Sequence, residues 1–161
     1  MRLGTGTSTP RRTLLVTVSA ILALGIAFAP AAQAGGGVRS KVLRMVNATR
    51  DNHDLRTLSI DRSLSRDAQR HTRHMIANNA IYDPTNLTRI LQDEPWDVVG
   101  ASAVGCAHTL SGLHNAFMHD PVHRAILLNS KIRRIGIGVI EVDSANTCGR
   151  QWLWATELFY G

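Results

Sequence analysis

The chain has only two cysteines, Cys106 and Cys148, and their separation does not match a metal-binding motif. Aromatic residues are also scarce, at 5% of the sequence, and none alternate with arginines as in many nucleic-acid-binding surfaces. The sequence contains no internal repeat and no low-complexity segment. These absences argue against a cysteine-ligated metal site, a nucleic-acid partner and a repeat architecture.

The first 34 residues have the features of a secretory signal peptide. Arg11 and Arg12 belong to a basic region, residues 14–30 are almost wholly apolar or small, and AQA at residues 32–34 is a small-x-small cleavage signal. Cleavage after Ala34 would leave a protein that is secreted or held in the cell envelope, with no stable membrane span. An uncleaved anchor is the weaker alternative, and both the general secretory and the twin-arginine routes stay open.

The mature chain, residues 35–161, has 127 residues, which suffices for one domain with its own core. Loss of the three leader arginines leaves 15 basic and 12 acidic residues, a net charge of +3. The remaining arginines favour a solvated helix face over a polyanion site. We therefore expect a monomer without a nucleic-acid partner. The arginines in question are Arg62, Arg66, Arg70, Arg73, Arg133 and Arg134.

An even number of cysteines in an exported chain favours a disulfide bond between Cys106 and Cys148 over two free thiols. The bond would close a long loop and contribute about 4 kcal/mol on the loop-entropy model. A catalytic cysteine is not expected, because an oxidising compartment tends to consume free thiols.

Apolar periodicity and capping signals predict an α+β chain, with helices first and antiparallel strands late. Residues 35–39 are expected to be a flexible start, and residues 53–58 an irregular link. Helices are predicted over residues 40–52, 62–80, 86–92, 110–118 and 121–128, and strands over 96–104, 132–142 and 151–159.

The sequence HDPVHRAILL at residues 119–128 precedes IGIGV at residues 135–139. Asp120 can accept hydrogen bonds from the first free N–H groups of a helix, and Pro121 suits the first helical position. His123 is therefore predicted in the first turn of a short helix, next to a strand whose glycines allow close approach of another element. A histidine presented in this way marks a candidate binding or catalytic site.

These motifs resemble those of the CAP superfamily (cysteine-rich secretory, antigen 5 and pathogenesis-related proteins, with an SCP domain), in particular its exported bacterial members. VNATR at residues 46–50 is similar to the family's V/I-N-x-x-R, and TELF at residues 156–159 is similar to T-Q-x-F. The resemblance covers residues 40–161 and implies a three-layer α-β-α sandwich with a central, mostly antiparallel sheet.

The resemblance also implies a cleft that holds two histidines and two glutamates and that can bind a divalent metal. His123 stands at one histidine position, Asp83 stands where the other is expected, and Ala101 replaces one glutamate. The second glutamate has no counterpart that can be placed. We therefore expect no cofactor, with a divalent metal at His123 as the weaker alternative.

The leading hypothesis is a secreted, non-catalytic CAP-like module whose ligand binds in a cleft around His123. Family analogy suggests a lipid, a sterol, a cell-wall component or a protein as the ligand. The alternative is a hydrolase, either metal-dependent or with Ser102 as nucleophile, His123 as base and Asp83 as orienting acid. The sequence around Ser102 is not a Gly-x-Ser-x-Gly elbow. A third hypothesis is a structural envelope protein with a vestigial cleft.

Three other sets of residues have structural and functional interpretations. His119 lies four residues before His123, but Pro121 between them disfavours a helical zinc pair, so His119 is only a cleft candidate. His71 falls in the apolar stripe of the second helix, which favours a hydrogen-bonded core residue. Trp152 and Trp154 share one face of the last strand, which favours packing over an aromatic wall for a sugar or lipid.

Overall fold

The computed structural model describes residues 33–95 and 99–161, so the predicted signal peptide up to residue 32 lies outside the described part. Over those two ranges, no helix is long and apolar enough to cross a bilayer. The elements in chain order are α1 (Gln33–Asp51), β1 (Ser59–Ile60), α2 (Arg62–Ala77), α3 (Leu87–Leu91), β2 (Gly100–Ala107), α4 (Leu110–His119), α5 (Pro121–Leu127), β3 (Arg134–Val142) and β4 (Trp152–Tyr160).

The four strands form one sheet in the order β1-β3-β4-β2. Strand β4 is antiparallel to both of its neighbours, and only the short β1 pairs in parallel, with β3. Helix α2 packs on one face, where Leu64 and Ala68 contact Leu158. Helices α1, α4 and α5 cover the other face, where Phe117 and Leu127 belong to the largest apolar cluster. The α+β class and the mostly antiparallel sheet are therefore confirmed.

Two glycines of β3 let α2 lie directly on the sheet. A Cβ atom added at Gly136 would meet Leu64, and one at Gly138 would meet the backbone of Ala68, each at under 3.0 Å. The Thr72 hydroxyl donates to the Gly138 carbonyl oxygen at 3.2 Å, which a side chain at this position would obstruct. The predicted close approach of another element to these glycines is confirmed.

The VNATR motif of α1 ties three parts of the backbone together. The Asn47 side chain donates to the Leu58 carbonyl at 3.0 Å and accepts from the Leu58 amide at 2.8 Å. Arg50 is fully buried, and its Nη1 donates to the Leu127 carbonyl oxygen at 2.7 Å. Its Nε donates to the Arg56 carbonyl oxygen at 2.8 Å. Asn47 and Arg50 thus hold the link at residues 56–58 and the end of α5 against α1.

Helix α1 begins earlier than predicted, at Gln33, so residues 35–39 are helical where a flexible segment was expected. Three successive glycines disfavour a helix here by propensity. Arg39, which follows the glycines, contacts β3 through a hydrogen bond from its Nε to the Ile137 carbonyl oxygen at 3.0 Å. Helix α2 ends at Ala77, three residues before its predicted end, and Asn79 adopts a left-handed conformation with a φ of 48°.

Two strand predictions differ from the structure. Strand β1 was not predicted, because two residues are too few to show a period, and it forms only by pairing with β3. Strand β2 begins at Gly100 and extends to Ala107, beyond the predicted end at residue 104. Residues 96–98 of the predicted strand lie outside the described residues. Residues 105–107 carry small side chains and belong to the strand because they pair with β4.

The predicted disulfide bond is present between Cys106 in β2 and Cys148 in the loop before β4. The two Cα atoms are 6.2 Å apart. The bond joins the edge strand of the sheet to a loop that Thr147 also ties to Asn79, through a hydrogen bond from its amide to Oδ1 at 2.7 Å.

Candidate functional site

His123 lies at the junction of two helices, which Asp120 organises. Asp120 ends α4 and caps α5, with its Oδ1 accepting from the amides of Val122 at 3.0 Å and His123 at 2.8 Å. The hydrogen bond from the His123 amide is the main reason that the pKa of Asp120 lies below its ordinary value. The predicted cap and the predicted place of His123 in the first turn are both confirmed.

The imidazole ring of His123 is held from two sides. Its Nδ1 lies 3.3 Å from Oδ1 of Asp120, and its ring centroid lies 4.9 Å from that of Phe117. The side chain remains 24% exposed. Because Nδ1 faces Asp120, Nε2 is the ring nitrogen available to an outside group. Within residues 33–95 and 99–161, no side chain hydrogen-bonds to this Nε2.

The structure brings Asp83 and Ser102 together but does not join them to His123. The Ser102 hydroxyl donates to Oδ1 of Asp83 at 2.7 Å. Ser102 pairs with Leu158, which packs against α2, so its side chain points to the α2 face of β2. The ring of His123 contacts Phe117 on the opposite face. The serine–histidine hydrogen bond of an acyl-transfer site is therefore not formed.

His119 and His123 do not share a helix. His119 is the last residue of α4, is exposed, and has its Nδ1 2.7 Å from the Asn115 carbonyl oxygen. Pro121 then begins α5. In the part of the chain that the structure describes, no group of three or more His, Cys, Asp or Glu side chains could hold a metal ion. Ala101, at the position that the resemblance assigns to a glutamate, supplies only a methyl group to the apolar cluster.

The structural interpretations of His71 and Trp154 are confirmed. Nε2 of His71 lies 2.7 Å from the Tyr82 carbonyl oxygen, and the two rings pack edge to face. Trp154 is fully buried in a cluster with Met75 of α2. Trp152 lies on the same face but nearer the strand end, with its ring centroid 4.3 Å from that of His108.

Glu157 is a polar group of the sheet centre that sequence reasoning did not single out. It is 1% exposed and lies between Ala103 and Ile137 on the neighbouring strands. Its Oε2 has no hydrogen-bond partner among the described residues. Burial raises the pKa of this carboxyl to about 8. The signal was present in the sequence, since strand alternation places Glu157 on the same face as Phe159.

His114 of α4 is a half-buried polar residue that the sequence pattern did not reveal. Its Nε2 lies 2.7 Å from the hydroxyl oxygen of Thr49 in α1, whereas its Nδ1 has no partner in the described ranges. Burial lowers the pKa of His114 because it disfavours the charged ring. Within this helical layer, one side-chain nitrogen each of Arg50 and His114 has no hydrogen-bond partner among the described residues.

The family model of the CAP domain, described as the cysteine-rich secretory protein family, matches residues 43–157. The chain belongs to the CAP family. The match includes the VNATR motif, the helix with His71, and the block around His123. The resemblance expected from the sequence is thus confirmed over most of the mature chain.

Solved structures of other bacterial proteins are similar to this CAP domain. An outer surface protein of Borrelia burgdorferi is 18% identical with a TM-score of 0.62, over 76% of this chain and 90% of that one. An extracellular SCP-domain protein of Bacillus anthracis is 20% identical with a TM-score of 0.61, and the match covers 75% of this chain and 39% of that one. A cysteine-rich secretory protein of Staphylococcus aureus is 20% identical with a TM-score of 0.60, and the match covers 75% of this chain and 37% of that one.

These identities establish a shared fold and no more. The CAP chain spans well under half of the Bacillus and Staphylococcus proteins, so those proteins contain further sequence beyond the shared domain. Among curated protein sequences, none matches this chain.

Proposed function

We propose that this CAP protein is a non-catalytic binding module whose ligand contacts the surface around His123. The observation that carries the proposal is the ring itself, held by Asp120 and Phe117 and yet partly exposed. Such a ring can offer Nε2 to a ligand without rearrangement, which lowers the entropy lost on binding. The candidate nucleophile Ser102 lies on the opposite face of the sheet, and the described residues include no group of three or more metal-ligating side chains.

The chemistry of this surface favours a ligand with one polar group on an apolar body. Val122, next to His123, is 69% exposed although its side chain is apolar. Phe117 lies beneath the imidazole ring and extends the apolar character inward. A lipid or sterol hydroxyl could hydrogen-bond to Nε2 while its hydrocarbon covers Val122. A cell-wall component and a protein are the other ligands to be tested.

We place the site of action outside the cytoplasm. The leader sequence supports this location, as does the similarity to an outer surface protein of Borrelia and an extracellular protein of Bacillus. The disulfide bond between Cys106 and Cys148 suits an oxidising compartment. The mature protein is proposed to be a monomer.

Binding to vesicles with and without sterol, and to insoluble cell-wall material, tests the proposal. The mature protein is compared with His123→Ala and with the control His119→Ala, which removes an exposed histidine at the end of α4. We expect His123→Ala to weaken binding about tenfold or more, since it removes both the hydrogen bond and the ring. His119→Ala should bind like the wild type. Equal binding by all three proteins would contradict the proposal.

Enzymatic and metal-dependent alternatives are tested on the same proteins. Turnover of an ester or peptide substrate that is lost in Ser102→Ala or His123→Ala would replace the binding proposal with a hydrolase. Zinc, calcium and magnesium are also titrated while the melting temperature is followed. Stabilisation by a metal that disappears in His123→Ala would show that the ring is a ligand. We expect neither turnover nor stabilisation by a metal.

A further inference from the structure

A pocket of about 380 Å³ lies between α1, β1 and the start of α2, well away from the junction that holds His123. Half of its lining residues are arginines, and none is acidic. We call it the arginine pocket; it is lined by Arg39, Ser40, Ile60, Arg62, Ser65 and Arg66.

Arg39 is held in position by two hydrogen bonds. Its Nε donates to the Ile137 carbonyl oxygen at 3.0 Å, and its Nη2 donates to Oε1 of Gln69 at 3.4 Å. The residue is half-buried. A guanidinium group fixed in this way keeps its Nη1 for a ligand and loses little side-chain entropy when it binds one.

No carboxylate forms an ion pair with the arginines of the pocket in residues 33–95 and 99–161. Arg66 donates only to the Ser63 hydroxyl, at 3.3 Å, and neither Arg62 nor Arg66 forms an ion pair among the described residues. Asp61, the acidic residue next to Arg62, is engaged elsewhere. Its two carboxylate oxygens accept from the Leu64 amide and the Tyr160 hydroxyl, each at 2.9 Å.

We propose that the arginine pocket binds a phosphate-bearing anion. Guanidinium groups pair with phosphate oxygens through two parallel hydrogen bonds, and several such groups match a doubly charged phosphate better than a single carboxylate. The volume leaves room for an organic group beside Ile60.

The site depends on tertiary structure, which explains why the sequence favoured a solvated face for these arginines. Arg62 and Arg66 are four residues apart and share one side of α2. On that side alone they would be ordinary surface charges. Helix α1 adds Arg39, and the preceding strand β1 adds the apolar wall at Ile60, so that two separate stretches of the chain, residues 39–40 and 60–66, form one concave surface.

Titration with inorganic phosphate and with glycerol phosphate tests the proposal, by calorimetry and by amide NMR shifts of α2 residues. The variant is Arg62→Gln with Arg66→Gln, two exposed positions. The control, Arg56→Gln with Arg73→Gln, changes the net charge equally at exposed positions outside the pocket. We expect the variant to bind phosphate about tenfold more weakly or worse, and the control to bind like the wild type. Acetate should bind more weakly than phosphate.

Vesicles separate a lipid headgroup from a soluble phosphate. Phosphatidylglycerol vesicles are compared with neutral phosphatidylcholine vesicles, using the same variant and control. Retention on the anionic vesicles that is lost in the variant assigns the anion to a lipid, whereas binding of soluble phosphates alone assigns it to a small molecule. The proposal would be overturned if the wild type did not bind phosphate at millimolar concentration. It would also be overturned if the variant and the control lost phosphate affinity equally. His123→Ala should leave phosphate binding unchanged, which keeps this test separate from the first.

Discussion

The Glu157 carboxyl is buried at the centre of the sheet beneath α1, α4 and α5, and its neighbours across the strands are Ala103 and Ile137. Burial favours the neutral acid, which raises its pKa to about 8 from an ordinary value of 4.5. The unfolded chain releases this proton at the ordinary pKa. Stability contributed by the neutral carboxyl is therefore complete below about pH 4.5 and is lost as the pH rises through about 8.

We expect Glu157→Gln to remove this pH dependence, because an amide of similar shape does not ionise. Between about pH 4.5 and 8 the free energy of unfolding of the wild type should fall, relative to this variant, by a few kcal/mol. Urea unfolding across that range measures the difference. Glu141→Gln makes the same chemical change at an exposed position of β3 and should follow the wild type. If the free energy of unfolding of Glu157→Gln and of the wild type changed with pH in the same way, the raised pKa of Glu157 would be contradicted.

At the scale of elements, the contact between α2 and β3 depends on the absence of side chains at two positions of the strand. Gly138 lies directly under the backbone of Ala68 and Gln69. Thr72 completes the contact, because its hydroxyl joins the Gly138 carbonyl oxygen and the Thr156 hydroxyl. A strand with a larger residue at this position would hold the helix further from the sheet.

Gly138→Ala should lower the free energy of unfolding by about 3 kcal/mol or more, since the added methyl meets rigid backbone. The same substitution at Gly37 has nothing within 4 Å, and there it should stabilise α1 by about 1 kcal/mol through helix propensity. Chemical denaturation of both variants measures the two effects. A Gly138→Ala protein as stable as wild type would show that α2 can move away from β3 at little cost.

At the scale of the whole molecule, the disulfide bond closes a segment that contains α4, α5 and β3. Cys106 and Cys148 are 42 residues apart, and the closed loop therefore includes the junction that presents His123. A link across so long a segment restricts the unfolded chain considerably. The bond stabilises the arrangement of helices and sheet without touching the His123 ring.

Cys106→Ala with Cys148→Ala should lower the free energy of unfolding by about 4 kcal/mol on the loop-entropy model. Urea denaturation of the wild type, with and without reductant, provides the comparison. Reductant should lower the free energy of unfolding of the wild type by a similar amount and leave that of the double variant unchanged. If reduction leaves the stability of the wild type unaltered, the bond contributes little to folding.

Local sequence signals accounted for much of the fold. The ends of α4 and α5 were predicted closely, because Asp120 and Pro121 are strong capping signals that act within one turn. The long strands β3 and β4 were predicted within two residues, since their apolar runs are bounded by polar loops. Strand β1 escaped prediction because it forms by pairing with β3, and the start of α1 escaped it because successive glycines have low helix propensity.

The candidate site could be predicted from the sequence only in part. The cap that holds His123 is local, and it could be read from the residues around Asp120. The partner of Ser102 could not be predicted, because the face to which a strand residue points follows from its register with β4. That register directed Ser102 towards Asp83 and left His123 on the other side of the sheet.

The sequence by itself determined the CAP family, the order of the main elements, the disulfide pair and the position of His123 in its helix. Each depends on residues close in the chain or on motif spacing. Only the tertiary structure decided that Glu157 is buried without a partner and that Arg39 joins Arg62 in one pocket. The burial of a side chain and the local density of charge depend on which distant segments meet. A pattern of neighbouring residues does not contain that information.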